Sequence, residues 1–198
     1  MTGDVSITLT SATTNTFAGV LDGCGYTMTI NITVSSSLNA TAYYGALFGT
    51  LTGTIKNVNF VVTFSYTNTY SELKQSNYWG GIVGQINGGA IYNCNVELGG
   101  NSYGNIYSSR NGTQIYSLGI IAGCFTSGTM EKVTINTNSY SMSWANQNGS
   151  NWGYNPDYRA CLGAFAGYST GAVVLTNISF YGSGTIQVTG KGSGTNER

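Results

Sequence analysis

A glycine-bounded motif recurs four times along this chain of 198 residues, and it constrains the fold more than any other feature of the sequence. The four copies are Gly45-Ala46-Leu47-Phe48-Gly49, Gly81-Ile82-Val83-Gly84 (with Gly80 before it), Gly119-Ile120-Ile121-Ala122-Gly123 and Gly163-Ala164-Phe165-Ala166-Gly167. Their first glycines are 36, 38 and 44 residues apart, and a further glycine follows each copy, at Gly53, Gly88, Gly128 and Gly171. Periods of this length are typical of proteins built from stacked repeat units.

After the further glycine, each copy continues into a run in which apolar and polar residues alternate. These runs cover residues 54–60, 90–96, 129–135 and 173–180. A period near two indicates strands that bury one face. Because one such unit cannot bury its apolar face alone, like units must stack to form a continuous core.

The sequence therefore predicts an all-β fold, and more specifically a parallel β-helix or β-solenoid with a single domain over residues 1–189. Its predicted parts are an opening segment at 5–34 and repeats near 44–62, 79–98, 118–136 and 162–180. The stretches 64–79, 99–117 and 137–161 vary in length and are predicted to be loop excursions between repeats. Residues 190–198 are polar and rich in glycine, which predicts a flexible tail.

Charge is scarce, and its scarcity excludes several classes of function. The chain has seven basic and seven acidic residues and no histidine. It therefore lacks the basic surface that nucleic acids or anionic membranes require, and no apolar run approaches the roughly 20 residues of a membrane span. Without histidine, and without carboxylates paired in sequence, the chain is predicted to be no enzyme and to have no catalytic, cofactor or metal site.

The opening segment and the first copy together resemble a known family. Phe17-Ala18-Gly19-Val20-Leu21-Asp22-Gly23-Cys24-Gly25-Tyr26-Thr27-Met28, followed by the copies beginning at Gly45, is similar to the GLUG-type repeat region of microbial surface proteins. The resemblance covers about residues 5–180, with Tyr26 where histidine is common and Lys132 in place of the usual asparagine. It implies a β-solenoid on an exported protein with a surface, scaffolding or adhesive role, and it supplies no catalytic residues.

Two sets of residues are candidates for covalent modification. Cys24, Cys94, Cys124 and Cys161 form no CxxC pair, and their even number fits either disulfides or buried free thiols. Five asparagines, at Asn31, Asn39, Asn111, Asn148 and Asn177, lie in N-glycosylation sequons, a number that chance placement also gives. Asn111 and Asn148 fall in predicted loops and are the favoured acceptors.

Aromatic side chains are frequent in and beside the predicted loops. The set comprises Tyr78, Trp79, Tyr140, Trp144, Trp152, Tyr154 and Tyr158. Their flat apolar rings with polar edges suit protein interfaces and stacking on sugars, which gives one interpretation. The other is that the rings cover a corner or an end of the solenoid.

These features together predict an extracellular or cell-surface structural protein without a cofactor. No helical or strongly charged cap is visible at either end, and the alternating segment Val5–Thr10 can add to the open edge of a neighbour. We therefore expect copies to associate end to end into a fibre, sheath or surface layer. The alternative is a glycan- or host-binding adhesin module that uses the loop aromatics.

Overall fold

The computed structural model describes residues 1–36, 42–68, 76–106, 115–146 and 159–190. In these residues the structure is all-β, without a helix, as the sequence predicts. The strands pair in parallel, and the exception is a single antiparallel bridge between Thr13 and Gly45.

The strands are separated by short connections along much of the described chain. They are β1 (Val5–Leu9), β2 (Thr16–Phe17), β3 (Val20–Asp22), β4 (Thr27–Ser36), β5 (Ala42–Gly45), β6 (Phe48–Leu51), β7 (Thr54–Lys56), β8 (Asn59–Asn68), β9 (Asn77–Gly80), β10 (Val83–Leu98), β11 (Ser102–Ile106), β12 (Ile115–Gly119), β13 (Ala122–Asn136), β14 (Met142–Asn146), β15 (Arg159–Gly163), β16 (Ala166–Ser169), β17 (Val173–Thr176), β18 (Ser179–Tyr181) and β19 (Ile186–Gly190). The larger sheet contains the path β16-β13-β10-β8-β11-β14-β19, and the smaller sheet has the order β15-β12-β9-β5.

Equivalent segments of successive copies lie side by side in register. In one outward column Val20 pairs with Thr54, Thr54 with Ala90, Ala90 with Thr129, and Thr129 with Val174. A neighbouring inward column consists of Met28, Phe60, Val96, Ile135 and Phe180. The alternation seen along each run thus becomes a continuous apolar column across the strands.

One apolar cluster connects these columns and extends under the smaller sheet. A second inward column consists of Leu21, Ile55, Ile91, Met130 and Leu175. Its three middle members are buried in the cluster. Trp79 stacks on Tyr44 with ring centroids 4.4 Å apart and lies 4.5 Å from Tyr66, whose hydroxyl donates a hydrogen bond to the carbonyl oxygen of Gly80 over 2.8 Å. The core therefore contains large aromatic rings as well as aliphatic columns.

The register corrects the alignment of the second glycine motif. Gly80, and not Gly81, pairs with both Gly45 and Gly119, so the second copy is Gly80-Gly81-Ile82-Val83-Gly84 and has the same length as the others. A Cβ on Gly119 would overlap the carbonyl oxygen of Ala122 in the turn between β12 and β13. A Cβ on Gly123 would overlap the neighbouring backbone at Trp79. The first glycine thus permits a tight turn, and the second permits close approach of two chain segments.

Asparagines recur at a second corner of the copies. This corner lies between β7 and β8, within β10, within β13 and between β17 and β18. Asn57, Asn93 and Asn177 have positive φ angles of 54°, 50° and 53°, and Lys132 has 54° at the equivalent position. Asparagine tolerates this left-handed conformation better than other non-glycine residues. The side-chain amide of Asn93 also donates to Oδ1 of Asn57 over 2.8 Å, which links two copies along the corner.

The predicted loop excursions are wrong over much of their length. The ranges 64–79, 99–117 and 137–161 contain the end of β8 and the strands β9, β11, β12, β14 and β15. These strands extend the two sheets because β11 pairs with both β8 and β14, and β12 pairs with both β9 and β15. The predicted tail lies, apart from Gly190, outside the described residues, and the single-domain division stays a prediction.

Candidate functional site

The strands β15–β19 form one end of the stack, here called the C-terminal end. Within the described residues each of these strands pairs on one side only, with β12, β13 or β14. Leu175 and Phe180, which continue inward columns, are 49% and 48% exposed, whereas their partners Met130 and Ile135 are fully buried. The C-terminal end therefore presents core-type side chains and open backbone edges together.

The C-terminal end also lacks the features that usually protect a sheet edge. Natural edges are commonly blunted by lysine, proline, inward-pointing charges or a covering element. Among the described strands of this end, Arg159 at the start of β15 is the one charged residue, and residues 160–190 contain neither a charged residue nor a proline. A stretch of this length without a charged residue can be seen in the sequence, and it is the signal that could have identified this end without a structure.

The opposite end is formed by β1, β2 and β3, with local contacts from the N-terminal segment. Thr13 forms an antiparallel bridge with Gly45, with N–H to carbonyl distances of 2.9 and 3.2 Å, and so interrupts the parallel pairing on β5. Strand β1 lies beneath β4, and the Asp4 carboxylate accepts a hydrogen bond from the backbone N–H of Thr27 over 2.7 Å. Within the described residues this end has no helical cap, and β1, β2 and β3 each pair on one side only, so the expectation that neither end carries a helical or strongly charged cap stays a prediction.

Three of the predicted aromatic contact residues lie in the core. Trp79 and Trp144 are 1% and 2% exposed because β9 and β14 turn these rings into the apolar cluster, whereas Tyr78, on the opposite face of β9, is buried in a stack with Tyr43. Their predicted role in an interface or in glycan stacking is therefore corrected to core packing. Tyr140 is exposed. Trp152, Tyr154 and Tyr158 lie outside the described residues.

The turn at Asp22 gathers hydrogen bonds around a carboxylate. Oδ1 of Asp22 accepts from the side-chain amide of Asn57 at 3.0 Å and from the backbone N–H of Cys24 at 2.9 Å, and Nζ of Lys56 lies 3.2 Å from Oδ2. These contacts, with that from Asn57 the largest, hold the pKa of Asp22 well below its usual range. Asp22 thus stabilises its turn, as its Asp-Gly sequence suggests.

The other described charges are also spread along the surface. Nζ of Lys132 lies 4.0 Å from the Glu131 carboxylate and donates a hydrogen bond to the Tyr92 hydroxyl at 3.0 Å. No three cysteine or carboxylate side chains of the described residues come together as a metal site requires. The same part of the chain contains no helix long and apolar enough to cross a membrane.

The four cysteines occupy different environments. Cys24 is exposed in its turn, Cys94 and Cys124 are buried, and Cys161 is partly buried on β15. Cys24, Cys94 and Cys124 form no disulfide in the structure, and both the disulfides and the buried free thiols stay predictions. Burial raises the pKa of the Cys94 thiol to about 11 and also raises that of Cys124. Disulfide formation under oxidising conditions stays a prediction.

Two of the five glycosylation candidates can be placed. Asn31 is exposed on the outer face of β4, and Asn177 is exposed at the asparagine corner. Asn39, Asn111 and Asn148 lie outside the described residues, and glycosylation stays a prediction at every site.

Comparison of the chain with protein-family models, with curated proteins and with solved structures gives no match. The similarity to GLUG-type repeats therefore rests on the motifs in the sequence.

Proposed function

We propose that this chain is a β-solenoid and a self-associating structural subunit of an extracellular fibre, sheath or surface layer. The solenoid assignment is supported by columns that keep their register through successive copies of one motif. The extracellular role is supported by the resemblance to surface-protein repeats and by a surface that relies on hydroxyl and amide groups.

The observation that carries self-association is the open C-terminal end. Fully burying a leucine or phenylalanine contributes about 1.5–3 kcal/mol. Leu175 and Phe180, each about half exposed, therefore leave roughly 1 kcal/mol apiece to be gained when another molecule covers them. The unpaired edges of β17 and β18 add backbone hydrogen bonds to that gain.

A second copy of this chain is the occupant that the charges favour. Residues 5–21 at the N-terminal end and residues 160–190 contain no charged residue, and these stretches are flanked by Asp4 and Asp22 at one end and by Arg159 at the other. Two ends with so few charges meet with little like-charge repulsion. A strongly charged partner would find few complementary groups there, since Arg159 is the one charged residue in the described strands β15–β19.

Sedimentation velocity over about a hundredfold range of concentration tests this proposal, since association follows mass action. Negative-stain electron microscopy of the same samples shows the form of the product. The decisive variants are Leu175→Lys and Phe180→Lys, which place a charge on the open end. Tyr103→Lys is the matched control because Tyr103 is also exposed but lies on β11, away from both ends.

We expect the wild-type chain and the Tyr103 variant to form larger species as concentration rises, and the two end variants to remain monomers. A wild-type chain that stays a monodisperse monomer overturns self-association. A dimer that grows no further overturns the fibre, sheath or layer. End variants that assemble as readily as wild type overturn the role of the C-terminal end.

The adhesin alternative has lost part of its basis. Of the aromatic residues assigned to it, Tyr78, Trp79 and Trp144 are core residues.

A further inference from the structure

A shallow groove crosses the outer face of the larger sheet. It has a volume of about 320 Å³ and runs across β4, β8, β10, β13 and β18. At roughly 4.8 Å per strand, these five strands span about 19 Å. The groove therefore has the dimensions of a site for an extended chain molecule that lies across the strands.

Two outward rows of side chains form its walls. One row consists of Thr27, Asn59, Asn95 and Thr134, and the other consists of Val61, Glu97, Asn136 and Tyr181. The rows alternate with the buried column that contains Phe60 and Val96, whose backbone forms the floor. The strand register, and not a loop, positions every one of these groups.

The amides of the first row are ordered by one another. Asn59 donates to the carbonyl oxygen of Gly25 over 2.7 Å, and Asn95 donates to Oδ1 of Asn59 over 2.8 Å. No hydrogen bond is seen from the described residues to Oδ1 of Asn95, so the acceptor end of this row of amides is open on a residue that lines the groove. A fixed acceptor of this kind suits a hydroxyl or amide donor on a ligand.

The second row supplies a carboxylate and an aromatic ring. Glu97 is exposed and has no ion-pair partner among the described residues. Tyr181 is 53% exposed at one end of the groove. Among the described residues no lysine or arginine lines the groove, and this part of the chain offers no cation to attract a phosphate, sulfate or uronic acid.

We propose that this groove binds a neutral oligosaccharide. Tyr181 lies beneath one sugar ring, Glu97 accepts hydrogen bonds from sugar hydroxyls, and the asparagine and threonine row contacts the remaining hydroxyls. An apolar ring face with polar groups around it is the chemistry that stacks on sugars, and a carboxylate without a cation favours hydroxyl donors over anions. This site does not use the loop aromatics, but Tyr181 lies on β18 at the C-terminal end, so a second copy docked there would compete with the sugar at that end of the groove.

Isothermal titration calorimetry with a panel of neutral hexasaccharides tests the proposal: maltohexaose, cellohexaose, laminarihexaose and chitohexaose. A heparin hexasaccharide is the anionic comparison. The variants are Tyr181→Ala and Glu97→Ala, matched by Tyr103→Ala and Glu131→Ala, which remove the same groups outside the groove. Circular dichroism checks that each variant keeps its β structure.

We expect at least one neutral hexasaccharide to bind, and its affinity to fall about tenfold in each groove variant, since 1.4 kcal/mol corresponds to a factor of ten. The two controls keep the wild-type affinity within about twofold. The proposal is overturned if no neutral member binds, if heparin binds more tightly than all of them, or if Tyr181→Ala binds as wild type does. The titrations use protein at concentrations where sedimentation velocity shows a monomer, so that β18 is uncovered and a failure to bind counts against the groove and not against self-association.

Discussion

Phe60 and Phe180 offer a matched test of the register, because they occupy the same inward column at different heights. Phe60 lies between Met28 and Val96 and is 1% exposed, whereas Phe180 has a neighbour on one side only. Replacing a buried phenylalanine by alanine costs about 3–5 kcal/mol of the free energy of unfolding. We expect about 4 kcal/mol for Phe60→Ala and about 1–2 kcal/mol for Phe180→Ala, whose ring is half in solvent.

Urea unfolding of dilute protein, followed by circular dichroism, measures both values from the midpoint at constant slope. At about 2–4 °C per kcal/mol for a chain of this size, the melting temperature falls by about 8–16 °C for Phe60→Ala and by about 2–8 °C for Phe180→Ala. Where Phe60→Ala does not fold, Phe60→Leu and Phe180→Leu keep the comparison, with less than about 1.5 kcal/mol expected at Phe60 and close to zero at Phe180. Equal losses at the two positions would refute the column.

Three further predictions concern a turn, a charge and the thiols. Gly119→Ala should lower the free energy of unfolding by about 2–3 kcal/mol in the same urea assay because its Cβ has no space, whereas Gly3→Ala, which meets nothing, should have no effect. The pKa of Asp22 is lowered on folding, so its contribution to the free energy of unfolding is present above the unfolded pKa of about 3.9 and is lost as the pH falls through and below that value. Asp22→Asn should therefore reduce the loss of stability at acid pH in a curve of unfolding free energy against pH. An unchanged loss contradicts the account. In native protein at pH near 8, iodoacetamide should label the exposed Cys24 well before Cys94, whose thiol pKa is about 11, and peptide mass spectrometry showing equal rates would be the contrary result.

The repeat and its alternation are sufficient to predict all-β structure, because period and polarity decide which face of each strand is buried. They do not fix the alignment of the second motif. The pair Gly80-Gly81 offers two registers in the sequence, and only strand pairing with Gly45 and Gly119 selects Gly80. A one-residue choice of this kind is decided by contacts between distant segments.

The strands β11 and β14 are harder to predict from the sequence, because each has only five residues and the two differ at most of their paired positions. Trp144 and Gly104 pair across these strands, and a Cβ on Gly104 would overlap the Trp144 ring. Large and small residues thus compensate between neighbours, and the alternation within either strand alone hides the match. For this reason aromatic residues assigned to loops are found in the core.

The candidate surfaces divide in the same way. The absence of charge over residues 160–190 is visible in the sequence and marks the C-terminal end. The groove is not visible, since Asn95, Glu97 and Tyr181 become neighbours only through pairing of β10 and β18 with β13. The sequence does not indicate which outward side chains of separate copies will lie next to one another.

The most direct test of the stacked register is a pulsed electron paramagnetic resonance distance between spin labels at Val20 and Val174. Both side chains are exposed, and they lie at opposite ends of the outward column through Thr54, Ala90 and Thr129. Four strand spacings predict a backbone separation of about 19 Å. With labelled protein diluted into unlabelled protein, a single narrow distance near this value is the predicted result. A broad distribution, or a mean distance about twice as long, would contradict the stacking of these copies.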